Sequence, residues 1–192
     1  LARNKFTGSI PASIGFYDAL GDLNLEGNRF SGTIPGTIGY LTDMDTLNLG
    51  ENNFSGTLPE ELGLLDQLIY LNLTHNEFEW TIPDALASLS KLKVLDMASN
   101  HFVGSFSSEF NQLNNLDELY LNDNYITGDL SEVFCTGFPF GYIETFFRKR
   151  PISYHTVCQR SYDPFYIVNY YIKWVTTFWT YSTSESEYLY NE

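Results

Sequence analysis

The side chains with which this sequence could do chemistry are few: His75, His101 and His155, Cys135 and Cys158, and the adjacent acids Glu60-Glu61 and Asp117-Glu118. Imidazoles and thiolates hold a metal when they come in short-range pairs such as Cys-x-x-Cys or His-x-x-x-His. Neither spacing occurs here, so no metal site is expected from His155, Cys158 and Cys135. Paired carboxylates act as general acid and base only where one is forced to keep its proton. Glu60-Glu61 and Asp117-Glu118 read instead as solvated faces. No glycine-rich phosphate loop precedes a helix, so the expectation is a protein without catalytic residues or cofactor, and not an enzyme.

His75 and His101 flank Asn76 and Asn100, and that position leads to the elements that must carry everything else. Asparagine recurs every 24 residues at Asn4, Asn28, Asn52, Asn76, Asn100 and Asn124. Phe6, Phe30, Phe54, Phe78 and Phe102 travel with it, as do Leu23, Leu47, Leu71, Leu95 and Leu119. A glycine column at Gly8, Gly32, Gly56, Gly104 and Gly128 is broken by Trp80. Pro11, Pro35, Pro59 and Pro83 form another, replaced by Ser107 and Ser131. His75 and His101 are therefore read as surface turn residues. A fixed period of this kind signals stacked supersecondary units, none of which buries its apolar face alone.

Each column has a physical reason. Leucines two apart, as in Leu47-Asn48-Leu49, send both apolar side chains to one face of a short strand and the residue between them to the other. The asparagine amide that follows can satisfy turn backbone groups, and one such amide per coil predicts a buried ladder of hydrogen bonds. Ile34-Pro35 and Leu58-Pro59 predict an extended residue followed by a helical turn. Apolar residues three apart, such as Leu86, Leu89 and Leu92, fit tight turns facing inward.

The run Leu47-Asn48-Leu49-Gly50-Glu51-Asn52-Asn53-Phe54-Ser55-Gly56-Thr57-Leu58-Pro59-Glu60-Glu61-Leu62-Gly63 resembles the plant-type leucine-rich repeat. That repeat is found in ectodomains of receptor-like kinases and receptor-like proteins and in polygalacturonase-inhibiting proteins. The resemblance covers residues 1–135, with repeats starting near Leu23, Leu47, Leu71, Leu95 and Leu119 after a partial first one. It implies an α/β repeat solenoid: a right-handed superhelix with a parallel sheet on the concave face and a second strand row on the other side. Phe106-Ser107 and Leu130-Ser131 depart from the Ile-Pro pattern, so the last two repeats are expected to be less regular there. The chain opens partway through a repeat, and the expectation is a fragment of a longer protein.

Because the inward leucine pair fixes the pleat, the residues between them stand side by side on neighbouring strands about 4.8 Å apart. One such column runs Asp22, Thr46, Tyr70, Val94, Glu118, and the next runs Asn24, Asn48, Asn72, Asp96, Tyr120. The expected ligand-binding patch centres on Tyr70, Val94 and Tyr120, ringed by Asp96, Asp117, Glu118, Asn122 and Asp123, since aromatic anchors with a polar rim carry binding energy. The same residues also suit any half-buried β surface, and both readings stand at this point. Two Asn-x-Ser/Thr triplets, at Asn53 and Asn72, are candidate glycosylation sites, with Asn72 expected to face solvent on the same sheet.

Charge narrows the partner. The net charge of −14 sits entirely in residues 1–135, where 5 Lys/Arg stand against 19 Asp/Glu; the rest is balanced at 5 of each. Such a surface repels nucleic-acid phosphates and attracts basic peptides or proteins. The expected function is a non-catalytic protein- or peptide-binding module of a cell-surface receptor-like ectodomain. The alternatives are a secreted inhibitor of a cell-wall-degrading hydrolase and a structural surface protein. The expected location is extracellular or at the plasma membrane, with membrane association through further parts of the protein.

Residues 136–192 read as a different kind of sequence, with 17 aromatics and Leu189 as the one leucine. The favoured reading is a segment of which part caps the solenoid and the rest is poorly ordered; a tail foreign to the native protein is also open. Cys135 and Cys158 are candidates for a disulfide that would staple such a cap, although their spacing matches no known cap of the family. Phe165 to Tyr181 is apolar but only 17 residues long, holds Asn169 and Lys173, and has its basic cluster Arg148-Lys149-Arg150 on the wrong flank. It is not expected to span a membrane.

Overall fold

A computed structural model of the protein describes residues 1–128 and the backbone of 142–144. The chain divides into two compact units, Leu1–Gln159 and Arg160–Glu192, and the described residues all belong to the first. The expected boundary after Cys135, the Cys135 and Cys158 pair, His155 and the Phe165 to Tyr181 segment lie outside the described residues.

Every coil is built the same way. Its first strand contributes to an inner sheet made of Asp22–Asn24, Thr46–Asn48, Tyr70–Asn72, Val94–Asp96, Glu118–Tyr120 and Tyr142–Glu144, all parallel. The register is one whole repeat: Leu47 pairs with Leu71, and Leu71 with Leu95. Tyr142–Glu144 keeps that offset against Glu118–Tyr120, so a further strand joins the sheet within the segment read as non-repeat.

The return path forms an outer parallel sheet from Thr7–Gly8, Arg29–Gly32, Asn53–Gly56, Glu77–Trp80, His101–Gly104 and Tyr125–Ile126. Its pairs are offset by 22 residues rather than 24, as in Ser55 with Glu77 and Glu79 with His101. Homologous positions therefore stack in straight rows on the inner sheet and slant across the outer one. Among the described residues, five 3₁₀ turns close the coils, at Ala12–Phe16, Gly36–Tyr40, Glu60–Leu64, Asp84–Ser88 and Ser108–Gln112. The helical layer is thus 3₁₀, the geometry that apolar residues three apart favour. Coils approach closely at these turns: a Cβ on Gly63 would lie 2.3 Å from the Ala85 carbonyl oxygen.

Pro11, Pro35, Pro59 and Pro83 precede four of the turns, each with φ between −75 and −64. Ser107 takes the fifth such position, and its side chain accepts a hydrogen bond from the Glu109 N–H at 3.3 Å. Regularity is retained here because a capping hydroxyl replaces a pre-set φ. The equivalent Ser131 lies outside the described residues.

Between the sheets lies one continuous core. Leu47, Leu49, Leu71, Leu73, Leu95, Leu119 and Leu121 are wholly buried under the inner sheet, and Leu62, Leu65, Leu86 and Leu89 under the turns. Phe6, Phe30, Phe54, Phe78 and Phe102 stack in a spine with ring centroids 6.1–6.3 Å apart. Beside it runs the asparagine ladder. The Asn76 Nδ2 donates to the carbonyls of Leu73 and Thr74 in its own coil and of Leu49 in the preceding one, at 3.0–3.2 Å. Its Oδ1 accepts from the Phe54 N–H at 3.0 Å. Asn52, Asn100 and Asn124 repeat the arrangement. No buried side-chain polar atom among the described residues lacks a partner. No helix among them is long and apolar enough to cross a membrane.

Candidate binding face on the inner sheet

The inner sheet turns its leucines to the core and leaves the alternate positions outward. Tyr70, Val94 and Glu118 are direct partners on consecutive strands, and Asn72, Asp96 and Tyr120 form the row beside them. Tyr70, Val94, Asp96 and Tyr120 are half-buried. The Tyr120 hydroxyl donates to the Glu118 Oε2 at 2.8 Å, which fixes that ring along its own strand.

Asp117 stands exposed just before the strand. Asn122 and Asp123 follow it in the turn, where the Asn122 Nδ2 and the Ser99 hydroxyl both donate to the Asp123 Oδ2, at 3.3 and 3.5 Å. The strand thus brings Tyr70, Val94, Asp96, Glu118 and Tyr120 together, with Asp117 at one end of the row and Asn122 and Asp123 at the other.

Asp96 holds the position that Asn24, Asn48 and Asn72 hold in the preceding coils. Each uses its Oδ1 to accept the N–H two residues on; for Asp96 the donor is Ala98 at 3.0 Å. Burial pushes the Asp96 carboxyl above its ordinary value, against the opposing pull of the Ala98 N–H, the nearby His75 and the Thr74 hydroxyl. The Tyr70 phenol is also raised, first by burial and then by the negative field of Asp96, while a hydrogen bond with Asn72 pulls the other way. Two electrostatic features of the face therefore meet at Tyr70 and Asp96.

Asn72 stands on the outward face of its strand, as the sequence led one to expect, but its side chain is covered there and only 6% exposed. Gly50 in the preceding coil has no side chain, and the Asn72 carboxamide fills that space, so that a Cβ on Gly50 would lie 2.8 Å from its Nδ2. Asn53, the other triplet, is exposed at the start of an outer strand. His75 and His101 are exposed, His75 in a left-handed turn at φ 52 and His101 with its ring 6.1 Å from Tyr125. Among the described residues no group of three His, Cys, Asp or Glu side chains could hold a metal ion.

In the row that leads into the strands, Asp45, Ile69, Lys93 and Asp117, all exposed, sequence reasoning named Asp117 and missed the other three. Lys93 is a positive charge set among carboxylates, and Ile69, 41% exposed, extends the apolar centre beside Tyr70. The signal was present one residue before the columns that were read.

Family models described as leucine-rich repeats match residues 18–78, 91–113 and 115–136, together more than half of the chain. No curated protein matches it. Among solved structures, the chain is similar to the Arabidopsis receptor kinase HAESA in complex with the peptide hormone IDA and the co-receptor SERK1, at 35% identity over 67% of this chain and 21% of that one, with a TM-score of 0.64. It is similar to the ectodomain of the Arabidopsis thaliana membrane receptor kinase GASSHO1/SCHENGEN3 in complex with CASPARIAN STRIP INTEGRITY FACTOR 2, at 29% identity over 77% of this chain and 18% of that one, with a TM-score of 0.70. A third likeness is to a TDR receptor, at 32% identity over 77% of this chain and 26% of that one, with a TM-score of 0.73. The chain spans about a fifth to a quarter of the length of these receptors. From the 24-residue coils, the asparagine ladder and these matches, it follows that the chain belongs to the leucine-rich repeat family, with repeats of the plant type.

Proposed function

We propose that this chain is a non-catalytic recognition module that binds a basic peptide or protein segment across its inner sheet, as part of the extracellular region of a receptor-like protein at the plasma membrane. The observation that carries the reading is the row Tyr70, Val94, Glu118 beside Asp96 and Tyr120, held in register by the coils beneath. Rings and a branched aliphatic at the centre with carboxylates around them suit a ligand that carries both apolar and cationic side chains. The similarity to receptor structures solved with a peptide hormone and with an integrity factor supports the same reading. On this reading Asn53 is the glycan acceptor, since its side chain is accessible and stands on the opposite sheet.

The test is selection of binders from a displayed random peptide library against the full chain. Selected peptides are expected to be enriched in Lys and Arg, and to lose at least tenfold in affinity for Tyr70→Ala/Tyr120→Ala. Selected peptides without that enrichment, or bound equally by the double variant, would sink the proposal.

A further inference from the structure

Trp80 breaks the glycine column, and it does so in glycine's own conformation. Gly8, Gly32, Gly56, Gly104 and Gly128 all have φ between 77 and 104 at this point of their coils, and Trp80 has φ 72. A bulky residue there is an outlier, since its Cβ crowds the backbone as a glycine's hydrogen does not. Strand alternation would send residue 80 inward behind the buried Phe78, but the left-handed backbone leaves the indole 60% exposed. Strain held at one residue while five sister coils avoid it is a mark of use rather than of folding.

The surroundings say what would use it. Glu77 and Glu79 stand exposed on the same strand. The flanking strands, Asn53–Gly56 and His101–Gly104, contain no Lys or Arg, and the one basic side chain they offer is the imidazole of His101, opposite Glu79. Val103, 39% exposed, and Tyr125, 52% exposed and stacked on His101, extend an apolar surface across the next two strands. An open indole at the end of a strand that carries two exposed carboxylates, in a sequence whose residues 1–135 hold 19 acids against 5 bases, suits an arginine or lysine side chain more than a neutral surface. We infer that the outer sheet carries a second docking surface, centred on Trp80 with Glu77 and Glu79, for a basic segment of a partner protein, separate from the inner-sheet face.

Hexa-arginine and a β-1,4-linked glucose hexamer are each titrated into the full chain, made without glycans, while nitrogen–proton spectra follow the Trp80 indole. Its resonance is assigned by its disappearance in Trp80→Gly. Hexa-arginine is expected to shift that resonance saturably, with affinity falling at least tenfold in Glu77→Gln/Glu79→Gln. The response should persist in Tyr70→Ala/Tyr120→Ala, which keeps this surface distinct from the one proposed above. Trp80→Gly is expected to melt about 2–4 °C higher, because it restores the residue that the backbone suits. The inference is overturned if hexa-arginine leaves the resonance unmoved, if the glucose hexamer moves it instead, if the carboxylate variant binds as well as the parent, or if Trp80→Gly melts lower.

Discussion

Asn76 joins two coils with a single carboxamide, donating to three carbonyls and accepting one N–H, all buried but the part-buried bond to Thr74. Asn76→Ala removes those partners without offering others, so the chain is expected to lose roughly 2–4 kcal/mol, read as a lower urea midpoint at unchanged slope. Asp96 behaves in the opposite sense. Its folded carboxyl is raised above the ordinary 3.8, so as pH rises the unfolded chain ionises first and the folded state is penalised. The penalty is absent below that ordinary value and complete once the pH has passed the raised one. Asp96→Asn, which supplies the residue found at Asn48 and Asn72 and keeps the acceptor for Ala98, is therefore expected to melt higher at pH 7, with the difference vanishing towards pH 3. A Tm gap that widens as the pH falls would contradict this. The ladder itself was legible in the sequence because every coil repeats it. The burial of Asn72 was not, because it comes from contact with the coil before, where its amide lies against Gly50.

At the level of elements, the strands and turns follow from local chemistry that the columns expose: alternation sets the inner strands, and proline sets the start of each turn. Ser107 tests whether proline and a capping hydroxyl are two solutions to one requirement. Its φ of −78 is close to proline's, and its hydroxyl holds the Glu109 N–H. Ser107→Ala is expected to cost about 0.5–1 kcal/mol by losing the cap, whereas Ser107→Pro should stay within about 0.5 kcal/mol of the parent by stiffening the unfolded chain. Urea denaturation distinguishes the two, and a proline variant weaker than the alanine one would refute the equivalence. The outer-sheet offset of 22 residues was hidden from column reading, which compares positions 24 apart and so cannot register a slant. The strand at Tyr142–Glu144 was hidden for another reason. Ile143 takes the leucine position, and no Asn follows at residue 148, so neither column announces it.

Across the whole described lobe, stacked coils turn a one-dimensional repeat into a surface on which neighbouring positions are fixed by register. The ladder and the phenylalanine spine order the backbone before any ligand arrives, which spares a ligand the cost of ordering it. Nineteen acids against five bases in residues 1–135 give a field that favours cations, and association with a basic ligand is expected to weaken steadily as salt is raised. The candidate face was legible as far as the pleat decides it, which is why Tyr70, Val94 and Tyr120 were readable. Ile69 and Lys93 were not, because they precede the strands, and their exposure depends on how the chain enters each coil. The most direct measurement is a nitrogen–proton shift map of the full chain titrated with a basic peptide selected against it. The account predicts perturbations concentrated at residues 69–70, 93–96 and 117–120 of the inner sheet; a peptide that binds while those resonances stay still would contradict it.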